Sequence, residues 1–238
     1  MIKIDIITLF PEMFQGPFDY SIIKRAQEKK LLEIKIHQLR DWAEDRRGTV
    51  DDHPFGGGAG MVLMIKPIKK ALEDIKKQNN LSADEKTKII LTDPRGKVFN
   101  QAMAIKLSKL KQITFICGHY EAIDERVKEN LVDESISIGD YILTGGELPV
   151  MVIVDAIARL IPGVLKKEEA TQIESFSSDP KNKNYKKLLE YPQYTKPTDF
   201  NGLKVPEVLL SGNHQKIKDW QEEQALNITK KNRPDLLK

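Results

Sequence analysis

The chain has 238 residues, of which 40% are hydrophobic and 31% are charged. This composition is typical of a globular protein with one large domain, or a main domain and a smaller one, and it excludes disorder along the whole chain. A single cysteine, Cys117, excludes an internal disulfide and a multi-cysteine metal site. No uncharged apolar run approaches the roughly 20 residues of a membrane helix, and the opening MIKIDIITLF lacks the pattern of a secretory signal. We therefore expect a cytoplasmic protein without a membrane segment.

The excess positive charge lies in the C-terminal third. Residues 1–165 contain 24 Lys and Arg against 24 Asp and Glu, whereas residues 166–238 contain 14 against 11, which accounts for the whole net charge of +3. Basic clusters at KNKNYKK (181–187) and KKNR (230–233) suit contacts with a nucleic-acid backbone. A solvated lysine-rich surface has the same pattern, so charge alone does not decide between the two interpretations.

Strand-like and helix-like segments alternate through the first 165 residues. Short apolar runs rich in β-branched residues predict strands at IDIITLF, LLEIKIHQL, KIILT, ITFIC and SISIG. Helical spacing of apolar residues predicts helices at YSIIKRAQEKK, IKPIKKALEDIKK, NQAMAIKLSKL and LPVMVIVDAIARLIPG. This alternation predicts an α/β fold with a parallel sheet flanked by helices, in which ligands bind beyond the carboxyl ends of the strands.

A polar segment, KKEEATQIESFSSDPKNKNYKK, separates this region from the end of the chain. Its composition predicts a flexible linker at residues 166–178, which follows a domain of residues 1–165. Within residues 179–238 the stretch SGNHQKIKDWQEEQALNITKK has helical spacing. The apolar residues available for one face of that helix are Ile217, Trp220 and Leu226. We therefore expect a small helical C-terminal domain.

The stretch SIGDYILTGGELP leads from a predicted strand into one of the most apolar helices. Thr144 and Glu147 have the spacing of a capping box, but that register puts Pro149 where it disturbs the first turn. We predict capping at Gly145 or Gly146 instead, which leaves the proline among the first helical positions. Glycines after a strand also let a ligand approach the backbone and the helix N-terminus, although an ordinary turn into a helix has the same pattern.

The helix that follows is apolar nearly all the way round, which predicts burial in the core or against a partner subunit. Its charged exceptions, Asp155 and Arg159, have the i, i+4 spacing of an intrahelical ion pair. An arginine on so apolar a helix needs a partner or a ligand, because a lone buried charge is very costly. Structural pairing and a role in a site are both open for Arg159 at this point.

Two other polar loops follow predicted strands. GHYEAIDER (118–126) follows ITFIC, and LTDPRGKVF (91–99) overlaps the end of KIILT. The polar groups suit ligand binding, while a helix capped by Asp124 explains the first loop without a ligand. With the TGGE turn, three strand ends carry glycines and polar groups, which is more than unrelated loops would be expected to share.

A fourth stretch, DDHPFGGGAGMVL (51–63), is rich in glycine but matches neither common phosphate-binding pattern. No Gly-Lys-Ser/Thr closes it as in a P-loop, and it lacks a full G-x-G-x-x-G. A loop that becomes ordered on a ligand is compatible with this composition. His53, His119 and His214 lack metal-site spacing, and Cys117 is expected to be a small buried residue, so we predict no metal-binding residues.

Taken together, these stretches resemble the bacterial tRNA (guanine-N1)-methyltransferases. The resemblance begins at IDIITLFPEMF, continues through DDHPFGGGAGM, CGHYEAIDERV, SIGDYILTGGELPVMVIVDAIARLIPGVL and ESFS, and ends with LLEYPQYTKP, VPEVLLSGNH and RPDLL. It covers nearly the whole chain, and so many motifs in order are specific where any one alone would be weak. The resemblance implies a SPOUT-type α/β domain whose parallel sheet contains a deep trefoil knot, which is rare among folds, and a helical tRNA-binding domain at residues 179–238.

The resemblance also implies the reaction and its partners. The methyl donor would be S-adenosylmethionine, and the acceptor would be N1 of the guanosine immediately 3′ of the anticodon, position 37, in the tRNA anticodon stem-loop. A homodimer would share its active sites, and Mg²⁺ can assist the reaction, although no ligand cluster in the sequence places the ion. The implied cofactor-binding residues are Thr92, Asp93, Pro94, Gly118, Tyr120, Glu121, Ser137, Ile138, Gly139, Asp140, Tyr141, Ile142, Leu143, Gly145, Gly146 and Pro149. The implied tRNA-binding residues are Gly57, Gly58, His119 and His214.

For the chemistry, the resemblance implies Glu174 as the general base and Arg159 as the cation near guanine O6. Guanine N1 is a poor nucleophile until a base removes its proton, and the methyl group then moves in one displacement. The chain departs from the family pattern where Glu174 replaces a common Asp, where SDPKNKNYKK lengthens the basic loop, and where Ala122 replaces a common glycine. Two alternatives are a non-catalytic RNA-binding protein with this fold and the methylation of another RNA.

Overall fold

The computed structural model describes residues 1–79, 86–166, 174–177 and 188–237. The chain divides into two compact units, Met1–Lys166 and Lys167–Lys238. Most of the predicted linker and most of the long basic loop lie outside the described residues. None of the helices within the described ranges has both the length and the apolar character that crossing a membrane requires.

The first unit is built around a parallel β-sheet. Its strands, in chain order, are β1 (Ile2–Thr8), β2 (Leu32–Gln38), β3 (Asp51–Asp52), β4 (Val62–Leu63), β5 (Thr87–Val98), β6 (Gln112–Cys117), β7 (Ala122–Ile123) and β8 (Glu134–Ser137). The central sheet has five strands in the order β2-β1-β6-β5-β8, and all of its pairings are parallel. The predicted strands and the predicted parallel sheet are therefore confirmed. A smaller sheet, in the order β3-β4-β7, was not predicted.

The helices of the first unit are α1 (Ser21–Glu28), α2 (Ile65–Gln78), α3 (Gln101–Leu107), α4 (Glu125–Asn130) and α5 (Glu147–Ala158). They follow from the helical spacing of apolar residues. In α2, for example, Ile68, Leu72 and Ile75 are all buried and fall on one face. Short 3₁₀ helices at Pro11–Phe14 and Leu39–Trp42 complete the connections.

Separate apolar clusters fill the two faces of the central sheet. One cluster joins Ile4, Ile6 and Phe115 to residues of α1, α3 and α5. The other joins Ile7 and Ile116 to residues of α2 and α4. Because successive side chains of a strand point to opposite faces, β1 and β6 supply both clusters. β6 is buried at every position, as expected for an inner strand covered by helices on both sides.

β5 is irregular between Thr92 and Lys97, where its register with β8 shifts. The predicted loop at LTDPRGKVF (91–99) is thus largely a bulge within a longer strand and not the end of a strand. Gly96 allows the two strands to approach closely, because a Cβ there would lie 2.5 Å from the backbone nitrogen of Ile136. The bulge takes residues 93–95 out of the pairing between β5 and β8. These residues lie at the end of the sheet where the loops after β6 and β8 also lie.

The second unit contains β9 (Asp199–Phe200), β10 (Leu203–Lys204), α6 (Glu207–Leu210), α7 (His214–Asn232) and a 3₁₀ helix at Pro234–Leu237. The long predicted helix is confirmed by α7, but its predicted apolar face is wrong at one position. Leu226 is 36% exposed, whereas Ala225 and Thr229 are buried. Leu226 lies nine residues after Ile217, about two and a half helical turns, and therefore faces the opposite side of the helix.

Candidate active site

A cleft of about 550 Å³ lies beyond the carboxyl ends of β6 and β8 and beside the bulge of β5. Clefts of this size are typical of small-molecule sites. The predicted cofactor-binding residues all line this cleft except Asp140. The structure thus brings together three stretches that are far apart in the sequence. Lining residues that were not among the predicted binding residues are Leu91, Arg95, Ala122, Ile123, Lys128, Ile136 and Thr144.

Short backbone contacts join the three loops around the cleft. The Gly146 N–H donates to the Gly118 carbonyl at 2.7 Å, and His119 and Gly145 form an isolated antiparallel bridge. The buried Thr92 hydroxyl lies 3.2 Å from the Ile116 carbonyl oxygen and 3.4 Å from that of Gly146. Movement of one loop therefore disturbs the other two.

The glycines of the TGGE turn are required by packing. A Cβ on Gly146 would overlap the Thr92 hydroxyl and lie 2.7 Å from the Gly118 nitrogen, so no larger residue fits without movement of the backbone. α5 begins directly after Gly146, which is its N-cap, and Pro149 lies in the first turn. The predicted capping register is confirmed.

Asp93, Arg95 and Lys128 form a charged group on one wall of the cleft. Asp93 is 9% exposed, and its Oδ2 accepts hydrogen bonds from Lys128 Nζ at 2.9 Å and from the Arg95 guanidinium at 3.2 Å. Arg95 also pairs with Glu125 at 2.9 Å. Burial raises the pKa of Asp93, but hydrogen bonds from the Arg95 backbone and from the Lys128 and Arg95 side chains together lower it below the ordinary value. The wall therefore carries fixed charges of both signs.

The loop of residues 118–126 lines the cleft and also leads into α4, a helix with a side-chain N-cap. The Asp124 carboxylate accepts the Arg126 N–H at 3.0 Å at the start of α4. The two interpretations of this loop, ligand-site geometry and an Asp124 cap, are therefore compatible. Tyr120 has a positive φ of 61°, a conformation that non-glycine residues seldom adopt.

The glycine-rich loop between β3 and β4 is attached to the wall of the cleft. The Glu121 N–H donates to the Met61 carbonyl at 3.2 Å, and a Cβ on Gly60 would overlap the Glu121 side chain. Gly57 and Gly58 lie further out, are exposed, and have positive φ values of 79° and 121°. The loop thus extends from the cleft into solvent.

The residues predicted for chemistry and tRNA binding are divided between the two units. Arg159 is the half-buried C-cap residue of α5 in the first unit. Glu174 belongs to the second unit, where Ser175 Oγ accepts the Glu190 N–H at 2.9 Å and the Phe176 N–H donates to the Leu188 carbonyl at 3.0 Å. His214 is exposed at the first position of α7.

No group of three or more His, Cys, Asp or Glu side chains is arranged to hold a metal ion within the parts of the chain that the structure describes.

Burial raises the pKa of the Cys117 thiol, and the carboxylate of nearby Glu147 raises it further. Cys117 is therefore a buried thiol held in its neutral form and not an activated nucleophile.

Comparison with known proteins assigns a family to this arrangement. The sequence pattern of the family described as tRNA (Guanine-1)-methyltransferase TrmD matches residues 2–238. Similar proteins include the tRNA (guanine-N(1)-)-methyltransferases of Dictyoglomus turgidum, 52% identical over 237 residues, and of Carboxydothermus hydrogenoformans, 54% identical over 236 residues. These alignments cover 100% and 99% of this chain and 90% and 87% of the relatives. The protein of Staphylococcus carnosus is 52% identical over 99% of this chain and 90% of its own length. The chain therefore belongs to the tRNA (guanine-1)-methyltransferase family.

Proposed function

We propose that the protein transfers a methyl group from S-adenosylmethionine to N1 of the guanosine immediately 3′ of the anticodon, position 37, in tRNA. The observation that carries the proposal is the family match over residues 2–238. The same chain also gathers three glycine-containing loops around one cleft. The relatives named above are tRNA (guanine-N(1)-)-methyltransferases, which supports the base, the atom and the class of RNA.

The lining of the cleft fits the chemistry of S-adenosylmethionine. Apolar side chains such as Ile138, Ile142 and Leu143 suit the faces of an adenine ring. Asp93 and Glu121 bring negative charge to a ligand with a sulfonium and an amino group, while Lys128 suits its carboxylate. Gly118 and Gly146 keep Cβ atoms away from the junction of the loops. When bound, S-adenosylmethionine supplies an electrophilic methyl group.

Glu174 and Arg159 are the residues proposed to act on guanine. The Glu174 carboxylate would take the proton from N1, which makes the nitrogen nucleophilic. The Arg159 guanidinium would stabilise the negative charge that develops on O6 as the proton leaves. Neither residue lines the cleft, so these assignments rest on family membership and on the side-chain chemistry. We assign no residues to Mg²⁺ and no step that uses it.

A homodimer with shared active sites is part of the proposal. α5 is buried along most of its length, yet Leu148 and Val152 are 47% and 50% exposed, one turn apart on one side. Ile142, in the cleft loop, is 80% exposed. Apolar side chains exposed next to one another are typical of a surface that another subunit covers. We propose that a second copy of the chain covers this surface. The proposed location of the protein in the cell is the cytoplasm.

A deep trefoil knot is the proposed topology of the first unit. Support comes from the strand order, in which β5 lies between β6 and β8, and from the close contacts of the loop after β8 with Thr92 and Gly118.

The second unit is the proposed tRNA-binding domain. Its support is the excess of basic residues in the C-terminal third of the sequence.

The decisive experiment is transfer of radiolabelled methyl from S-adenosylmethionine to two tRNA transcripts. One transcript has guanosine 3′ of the anticodon, and the other has adenosine at that position. We expect label only on the guanosine transcript. Label on both transcripts would indicate a different site or RNA specificity. Binding of tRNA and cofactor without label on either would favour the non-catalytic RNA-binding alternative.

A further inference from the structure

Glu147, the first residue of α5, is a carboxylate buried inside the first unit. It is 1% exposed, and its Oε1 accepts a hydrogen bond from the Thr8 hydroxyl at 2.7 Å. The Thr8 hydroxyl in turn accepts the Phe10 N–H at 2.9 Å. Glu147 therefore attaches the start of α5, and the cleft loop before it, to the end of β1.

The other carboxylate oxygen of Glu147 has no hydrogen-bond partner within the described parts of the chain, although it is buried. The same is true of Nδ1 of His119. Both atoms border the same point beside Gly145, because a Cβ on this glycine would overlap Glu147 Oε2 and lie 2.7 Å from His119 Nδ1. Two buried polar atoms without partners thus face one small space that only a glycine leaves open.

The two atoms are chemically complementary. A carboxylate oxygen only accepts hydrogen bonds, whereas an imidazole Nδ1 can carry a proton and donate it. A buried polar atom without a partner costs about 1–3 kcal/mol, and more for a charged group. One water that accepts from Nδ1–H and donates to Oε2 removes this cost for both atoms. Cys117, the other titratable group beside Glu147, is held as a neutral thiol and supplies no positive charge.

His119 also lines the cleft, where it lies between two aromatic rings. Its ring centroid is 4.8 Å from that of Phe10 and 5.0 Å from that of Tyr120. Since Nδ1 is buried, the edge of the imidazole available to a ligand carries Nε2. A proton fixed on Nδ1 leaves Nε2 of the neutral ring as a hydrogen-bond acceptor.

We propose that Glu147 is a positioning residue that holds the proton of His119 on Nδ1, through one bridging water, and so presents Nε2 to the cleft as an acceptor. The acceptor would receive an N–H or O–H group of the bound RNA, such as the amino group of guanine or a ribose hydroxyl. This role rests on the proposed function, in which the cleft binds S-adenosylmethionine and His119, which also lines it, belongs to the residues that contact the tRNA. It extends that function to Glu147, which does not line the cleft.

The first test reads the tautomer of His119 directly and needs no substrate. The chain has four histidines, so the ¹⁵N spectrum of histidine-labelled protein is simple, and His119→Gln identifies the relevant signals. In the unmodified protein we expect the proton on Nδ1 and a bare Nε2. In Glu147→Gln we expect the fraction of His119 that carries its proton on Nδ1 to fall. In Glu147→Asp we expect this fraction to lie between those of Glu147→Gln and the unmodified protein. An Nε2–H tautomer in the unmodified protein would overturn the proposal without any variant.

The second test is kinetic. Glu147→Gln is expected to lower the rate of methyl transfer at saturating tRNA by about tenfold to a hundredfold, as misplacement of a site group does. Affinity for S-adenosylmethionine should stay the same. Glu134→Gln is a matched control, because its carboxylate is partly buried and, like that of Glu147, accepts a side-chain hydrogen bond, here from Lys88 at 2.9 Å. That control should change neither the tautomer nor the rate.

The two tests separate this proposal from the proposed function. If the unmodified protein methylates no tRNA, the proposed function fails, while the spectrum still decides whether Glu147 binds His119. If methylation occurs and the His119 tautomer is the same in Glu147→Gln as in the unmodified protein, the positioning role is wrong. Equal loss of stability and activity with an unchanged tautomer would identify Glu147 as a purely structural helix-terminal residue.

Discussion

Lys128 Nζ lies 2.9 Å from Oδ2 of Asp93 and so joins helix α4 to the bulge of β5. The bulge and the helix form one wall of the candidate active site. Since Arg95 contacts the same carboxylate, the ionised form of Asp93 is a structural element of the cleft. Its protonation should loosen this wall.

The stability of the protein should therefore depend on Asp93 at acidic pH. The hydrogen bonds hold the folded pKa of Asp93 below the ordinary value of 3.8, so the unfolded chain takes up this proton first as the pH falls. The stabilisation is fully present above that ordinary value and is lost as the pH decreases through the lower folded value. Urea unfolding of the unmodified protein and of Asp93→Asn should show a difference in unfolding free energy that is constant near neutral pH and shrinks below about pH 4. Parallel pH curves for the two proteins would contradict the assignment.

Substitution of Gly146 should weaken cofactor binding. Gly146→Val places a side chain against the Thr92 hydroxyl and the Gly118 nitrogen, where the loops meet. Overpacking costs about 1–3 kcal/mol, which corresponds to a loss of affinity of about fivefold to 150-fold if the loops give way. Calorimetry with S-adenosylmethionine measures this loss.

Gly57→Ala is the control for Gly146→Val. The added Cβ meets nothing within 4 Å and lies outside the cleft, although the positive φ of Gly57 makes any side chain there strained. It should lower stability slightly and leave affinity for the cofactor unchanged. Equal affinities of the unmodified protein and Gly146→Val would refute the role of the TGGE turn.

Asp5 should be important for stability alone. It is 2% exposed, and its carboxylate is hydrogen-bonded to His37 Nε2 at 2.7 Å, Gln112 Nε2 at 2.8 Å and Asn79 Nδ2 at 3.1 Å. Asp5→Ala leaves these donors, of which Gln112 is buried, without their acceptor and should lower the unfolding free energy by about 3 kcal/mol or more. Glu33→Ala removes an exposed ion pair with Lys35 and should cost at most about 1 kcal/mol. Denaturant unfolding measures the loss of unfolding free energy in each of the two variants. Similar losses in Asp5→Ala and Glu33→Ala would contradict a structural role for Asp5 and its hydrogen bonds.

The strands and most helices were predictable because each has a local pattern of apolar residues. The loops around the cleft were predictable as a group because parallel strands end at one edge. Contacts between distant residues had no such signal. Thr8 and Glu147 are 139 positions apart, and nothing in either local stretch indicates their hydrogen bond. Lys128 was not predicted because a lysine at its position on α4 has the pattern of a solvated helical side chain. Leu226 was misplaced because it lies nine residues after Ile217, which puts it on the opposite side of α7.

Glu174 provides the sharpest test of the proposed chemistry. Glu174→Gln keeps the size of the side chain but removes the base, so methyl transfer should fall by about a hundredfold to ten-thousandfold, and Glu174→Ala should remove it almost completely. Cofactor affinity should be retained in both, because the residue serves the acceptor base. Glu190→Gln is the control, since this carboxylate lies in the same unit and accepts from Gln193 Nε2 at 2.7 Å. Single-turnover transfer with saturating tRNA measures the chemical step, and retention of most activity in Glu174→Ala would remove Glu174 as the base.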